Sequence, residues 1–177
     1  MINQNILNGL PHDFVLHLAI KPETHLDAYN ILDQLHSKGI CITLNKPASN
    51  LKDALERKGL STENLYFIDA VSNLAGAQKN IKNCSFVNSP ADLTGIGIAL
   101  DNIVNKIGQE AEKFLILDSL PTLSIYHKED TVLQFLNFLI NRMRALRIKG
   151  FIFNIEENVS KKIKNELEEF CDKTIRL

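Results

Sequence analysis

The stretch "FLILDSLPTL", residues 114–123, places an ionisable carboxyl group, Asp118, and a hydroxyl, Ser119, directly after four consecutive apolar side chains. Such a run predicts a buried strand, so the carboxyl group is delivered to the strand's mouth. A carboxylate in that place suits a divalent cation that bridges to phosphate oxygens. The cation needs further oxygen ligands; without them Asp118 becomes a hydrogen-bond acceptor that ties down the strand end. A second polar group, Glu23, Thr24 and His25 in "KPETH", follows the apolar run at 14–20. These three side chains, with Asn45 and Asn154, are candidates to line a small polar pocket beside Asp118. Helix capping by Glu23 or Thr24 is the plainer account of them.

Other chemistry finds less support. Cys41, Cys84 and Cys171 are isolated and odd in number, with no Cys-x-x-Cys pair, and read as buried structural thiols. His17 lies inside an apolar run and reads as a core histidine, while His12, His36 and His127 lack metal-ligand spacing. No metal and no cofactor is therefore expected. "GIG" at 95–97 does not follow the first strand, as a dinucleotide fingerprint must, and no G-x-S-x-G nucleophile elbow exists. Arg142, Arg144, Arg147 and Lys149 in "NRMRALRIKG" are read as closing a helix, where cations complement its negative end; no aromatic residues interleave to make a nucleic-acid patch.

The bulk numbers narrow the class. A length of 177 residues suits one domain over 1–177, and 45% hydrophobic with 23% charged residues suits a soluble globular protein. The net charge of −1 gives no electrostatic footprint for nucleic acid or an anionic membrane. No segment approaches the ~20 apolar residues of a membrane span, and the N-terminus lacks a leader pattern, so a cytoplasmic location is expected.

Something must position these groups, and the chain alternates strands and helices. Strands are predicted at 14–20, 40–44, 65–68, 84–89, 113–119, 151–155 and 174–177. Between them, helices are predicted over 26–39 with Gly39 as C-cap, 50–59, 89–107 with Ser89 as N-cap, 130–150 and 158–173. Gly95 and Gly97 inside the third helix predict close packing of its backbone on the sheet. Apolar strands separated by helices call for a parallel sheet covered on both faces, hence a three-layer, doubly wound α/β fold. Its ligands bind outside the carboxyl ends of the strands.

From the second strand onward the chain resembles the RecA/KaiC-like ATPases, in particular the small single-domain members common in archaea. "KGICITL" stands where that family has its second strand, "LYFIDAVS" where it has a third strand with an "IDA-S"-like turn, and "FLILDSLPTL" where it has the Walker B strand. "VLQFLNFLINRMRALRIKGFIF" then matches a long helix and the strand after it. The resemblance implies a RecA-like core and a Walker B-like role for Asp118 and Ser119.

It also marks two losses. The family's P-loop, G-x-x-x-x-G-K-[ST], wraps phosphates with backbone N–H groups. Here the connection is "IKPETHLDAYNIL", which contains no glycine, and Pro22 removes a backbone donor. After the second strand, where the family places a catalytic Glu, stands Asn45, whose neutral amide cannot accept a proton from water. ATP hydrolysis is not expected, and no catalytic residue is assigned. Family members that bind DNA do so through loops that here read "SLPTLSIYHKED" and the acidic "NIEEN", so DNA binding is disfavoured. Leu120, Leu123, Ile125 and Tyr126 in "LPTLSIY" form an apolar loop and a candidate interface for a protein partner or a second copy. A rebuilt pocket for another small ligand or a hydrolytic reaction is the alternative. A receiver-like phosphoacceptor module ranks below both, because only Asp69 and Glu23 fit its acidic positions.

Overall fold

The structure, a computed structural model, describes residues 7, 9–76, 81–155 and 159–177. In chain order it runs β1 (Val15–Ile20), a 3-10 helix (Pro22–Gln34), β2 (Lys38–Thr43), α1 (Ala48–Arg57), β3 (Leu65–Asp69), β4 (Cys84–Phe86) and α2 (Leu93–Ile107). It continues through β5 (Lys113–Asp118), α3 (Leu120–Tyr126), α4 (Glu129–Ala145), β6 (Ile148–Ile155), α5 (Lys161–Phe170) and β7 (Lys173–Arg176). The strands lie side by side in the order β4-β3-β2-β5-β6-β1-β7, and every pairing is parallel. The expected three-layer, doubly wound α/β architecture is what the chain adopts.

Alternation along the strands builds two cores. In β5, Leu115 and Leu117 point into the layer of α2, α3, α4 and α5, while Phe114 and Ile116 point to the 3-10 helix and α1. Both faces are covered, which is why β1 and β5 are buried along their whole length. The register then fixes the working edge: Thr43 pairs with Asp69 on one side and Asp118 on the other. Two carboxyl groups therefore flank the end of the central β2. Among the described residues, no helix is long and apolar enough to cross a membrane.

The first helix departs most from expectation. It is a 3-10 helix over Pro22–Gln34 rather than an α-helix over 26–39. Its buried His25, Ala28 and Ile31 step by three, and Leu26, Tyr29, Leu32 and Leu35 make a second column at the same step. Side chains three apart eclipse in a 3-10 helix, so each column faces one way. Gly39 is not its C-cap; it lies inside β2, where an added Cβ would sit 2.2 Å from the Phe114 ring.

Other boundaries shift for local reasons. Asp92, not Ser89, caps α2 by accepting from the Gly95 N–H at 2.8 Å. That cap also explains Gly95, whose added Cβ would meet the Asp92 carboxylate at 2.3 Å rather than the sheet. "LPTLSIY" is a short helix, not a loop. α4 ends at Ala145 with Arg142 and Arg144 in its last turn, as expected, while Arg147 and Lys149 lie beyond it. Arg142 pairs with Asp101, Arg144 donates to the Phe170 carbonyl, Arg147 makes the turn, and Lys149 sits in β6 facing Glu112.

Lys113, at the start of β5, is buried with its ammonium donating to the carbonyls of Gly108, Gln109 and Ala111 at 2.8, 3.0 and 2.5 Å. It closes the α2–β5 loop, and burial lowers its pKa. Lys113→Met is expected to cost about 2 kcal/mol in urea unfolding, because three carbonyls lose a charged donor. A cost below about 0.5 kcal/mol would mean the loop is held by other contacts.

Candidate functional site

Asp118 is the last residue of β5, its peptide bond to Ser119 is cis, and its side chain is almost wholly buried. Both carboxyl oxygens are occupied by the chain itself. His25 Nε2 lies 2.7 Å from Oδ1, and the Tyr29 hydroxyl donates to Oδ2 at 2.7 Å. The 3-10 helix brings both groups: it starts at the carboxyl end of β1, and His25 and Tyr29, on its two neighbouring columns, are both among its buried side chains. Phe153, from β6, sets its ring edge-on to both, with centroids 6.4 Å from His25 and 5.1 Å from Tyr29.

The surroundings keep the protons on Tyr29 and its neighbour Cys41. Burial first, and the Asp118 charge second, raise the Tyr29 pKa well above its ordinary value, so the hydroxyl keeps its proton and donates. Cys41 Sγ stands 3.5 Å from the Tyr29 oxygen. Its own pKa is raised by burial and then by Asp118, so it is a thiol and not a nucleophilic thiolate.

The other candidate pocket residues divide. Asn45 Nδ2 reaches Ser119 Oγ at 3.4 Å, on the rim of the same cluster. Thr24 Oγ1 donates to the Lys21 carbonyl at 3.1 Å, and Glu23 is exposed in the first turn; neither caps the helix through its side chain. Asn154 follows Ile152 on the opposite face of the sheet, where its amide meets His17 Nε2 at 3.2 Å, and His17 Nδ1 meets Thr174 Oγ1 at 3.1 Å. Glu156, Glu157 and Asn158 of "NIEEN" lie outside the described residues. In α3, Leu120 and Leu123 are core residues, whereas Ile125 and Tyr126 are 79% and 41% exposed.

Two participants escape a reading of the sequence. Tyr29 is one; its three-residue spacing from Leu26 and Leu32 puts it in the column beside His25's, and the sequence offers no sign that both columns are buried at this point. Asp69 is the other. Its carboxylate accepts from the N–H groups of Ala48, Val71 and Ser72 at 2.7, 2.9 and 2.9 Å and from the Ser72 hydroxyl at 2.7 Å. It holds the start of α1 and the "DAVS" turn, and no oxygen is left open for a phosphoacceptor role. Among the described residues, no group of three or more His, Cys, Asp or Glu side chains is placed to hold a metal ion.

Comparison with known proteins agrees with this architecture. A model of the family described as "Family of unknown function (DUF7504)" matches residues 31–177. No curated protein matches the chain. Among solved structures it is similar to the KaiC-like protein PH0186 from the hyperthermophilic archaeon Pyrococcus horikoshii OT3, with a TM-score of 0.68 and 15% identity over 99% of this chain and 77% of that one. It is also similar to PH0250 from the same organism, with a TM-score of 0.65 and 12% identity over 99% and 87%. The fold is RecA/KaiC-like.

Proposed function

The chain belongs to the DUF7504 family, and from its RecA/KaiC-like fold and the filled site at Asp118 we propose that it is a non-catalytic domain that acts in the cytoplasm through protein–protein contacts, in a regulatory or signalling role. One observation carries this reading: both oxygens of the Walker B-like carboxylate are taken by His25 and Tyr29. A cation there would have to displace two short hydrogen bonds in a buried setting. The connection that should cradle phosphates is itself the segment that delivers those two side chains, and it carries no glycine. Asn45 stands where a base would be needed. Positioning and charge stabilisation, which supply nearly all of phosphoryl-transfer catalysis, both lack their groups.

Titration calorimetry with ATP and Mg²⁺ tests it. The expected result is no binding heat up to millimolar nucleotide and no phosphate release. Micromolar binding together with turnover that Asp118→Ala abolishes would defeat the proposal.

A rebuilt enzyme pocket gains one observation, the His25–Asp118 contact, which resembles a base and its orienting carboxylate. The rest of the arrangement does not support it. Glu23 is exposed, the Tyr29 hydroxyl is committed to Asp118, and the Cys41 thiol is held protonated.

A further inference from the structure

We propose that a pocket at the amino end of the sheet, the end opposite Asp118, binds a small organic ammonium ion with an apolar body. The pocket encloses about 350 Å³ between the end of the 3-10 helix and the loop that precedes β3. Pockets for small molecules commonly hold about 300–1,000 Å³, so the guest is small.

The apolar wall follows from one glycine. The register sets Gly39 between Leu65 on one side and Phe114 on the other. Both neighbours close over the place of its missing side chain: an added Cβ would lie 2.2 Å from the Phe114 ring and 2.5 Å from a Leu65 methyl. Leu65 and Phe114 thus meet above β2, and with Leu32 and Leu35 they give the pocket an apolar surface.

The polar wall differs from the cluster at Asp118, where both carboxyl oxygens are taken. Asp33, His36, Ser37 and Asn64 line the pocket as well. Ser37 is 9% exposed, and its buried hydroxyl has no hydrogen-bond partner among the described residues. An orphaned buried hydroxyl is uncommon and costs stability unless something outside the chain satisfies it. The Asp33 carboxylate and the His36 ring likewise enter no hydrogen bond or ion pair among the described residues.

Charge names the ligand. With histidine counted as neutral, Asp33 is the lining's formal charge, and its complement is a cation. An anion would face that carboxylate without a cation to receive it, because the ammonium of Lys38 already donates to Asn64 Oδ1 at 2.7 Å. A bare metal ion lacks ligands: among the described residues, no group of three or more His, Cys, Asp or Glu is placed to hold one. An ammonium group suits both open acceptors, donating to the Asp33 carboxylate and to Ser37 Oγ, while its apolar body covers Leu65 and Phe114.

The site lies at the other end of the sheet from the one that carries the contact-mediated reading, so calorimetry with nucleotide tests the one and the following titration the other. Phenethylamine is the probe, with phenethyl alcohol and phenylacetate as its neutral and anionic counterparts, added to the isotope-labelled full chain and followed by NMR. Phenethylamine is expected to shift the backbone amides of Ser37, Asn64 and Leu65 saturably, with a dissociation constant of about 1 mM. Phenylacetate is expected to bind at least about tenfold more weakly. Asp33 is exposed, so Asp33→Asn should leave the fold intact and lower the amine to the affinity of the alcohol. Ser37→Ala is expected to weaken the amine about threefold or more, while the free chain melts no lower because an unsatisfied group has been removed. Shifts that do not saturate by about 20 mM, or that fall elsewhere on the chain, overturn the proposal. So does equal affinity for phenylacetate, or an Asp33→Asn or Ser37→Ala variant that binds the amine as the wild type does.

Discussion

Replacing Asp118 with alanine is expected to destabilise the fold by about 3–5 kcal/mol in chemical unfolding, while heat release with ATP and Mg²⁺ stays at baseline. The magnitude follows from what is left behind. His25 Nε2 and the Tyr29 hydroxyl both lose their acceptor, and both remain buried against Phe153. Water has little access to a carboxyl group that is 1% exposed, so the stranded donors are not resolvated. A domain of this size has about 5–15 kcal/mol in total, so the variant should melt well below the wild type. The cost should also be coupled: Tyr29→Phe is expected to destabilise the wild type by about 1–2 kcal/mol and to cost almost nothing once Asp118 is alanine. An Asp118→Ala variant within 1 kcal/mol of the wild type, or one that loses a measurable ATPase rate, would assign the residue a different role from the structural one.

The place of Asp118 was half legible in the sequence, which offered it as a hydrogen-bond acceptor at the strand end but did not name its two donors. Parallel strands buried on both faces read as continuous apolar runs, so "FVLHLAI", "ICITL" and "FLILD" announce themselves and their order fixes the working edge. The 3-10 helix hides for a physical reason. Over a few residues a period of three and one of 3.6 place apolar side chains almost alike, and only the unbroken step from Leu26 through Tyr29 and Leu32 to Leu35 separates them. "LPTLSIY" hides because it is short and holds a proline, although Pro121 sits at the helix start, where proline is tolerated, and Leu120 and Leu123 share a buried face. The contact between His25 and Asp118 joins residues 93 apart in sequence. No local pattern predicts such a pairing; only the shared edge of the sheet does.

On the other face of the sheet, His17 is expected to make stability depend on pH in acid. Burial first, then the charges of Arg176 and Lys164, depress its pKa from 6.5 to about 4. The ring is thus neutral when folded, with Nε2 toward the Asn154 amide N–H and Nδ1 toward Thr174 Oγ1. Between those two pKa values the unfolded chain binds a proton that the folded chain refuses, so stability is full above about pH 6.5 and falls as pH drops toward 4. The depression corresponds to roughly 3 kcal/mol, lost at about 1.4 kcal/mol per pH unit. Other carboxyl groups titrate in the same range, so the measurement is a difference: urea unfolding of the wild type against His17→Gln, which keeps polar atoms near Asn154 and Thr174 but has no proton to gain. The gap between the two is expected to close by roughly 3 kcal/mol from about pH 7.5 to pH 4. A gap that stays constant would mean the folded state accepts the proton. Among the described residues a route to that result is present: the buried Asn154 Oδ1 has no hydrogen-bond partner, and a flip of the amide would turn it toward the ring as an acceptor for a second imidazolium N–H.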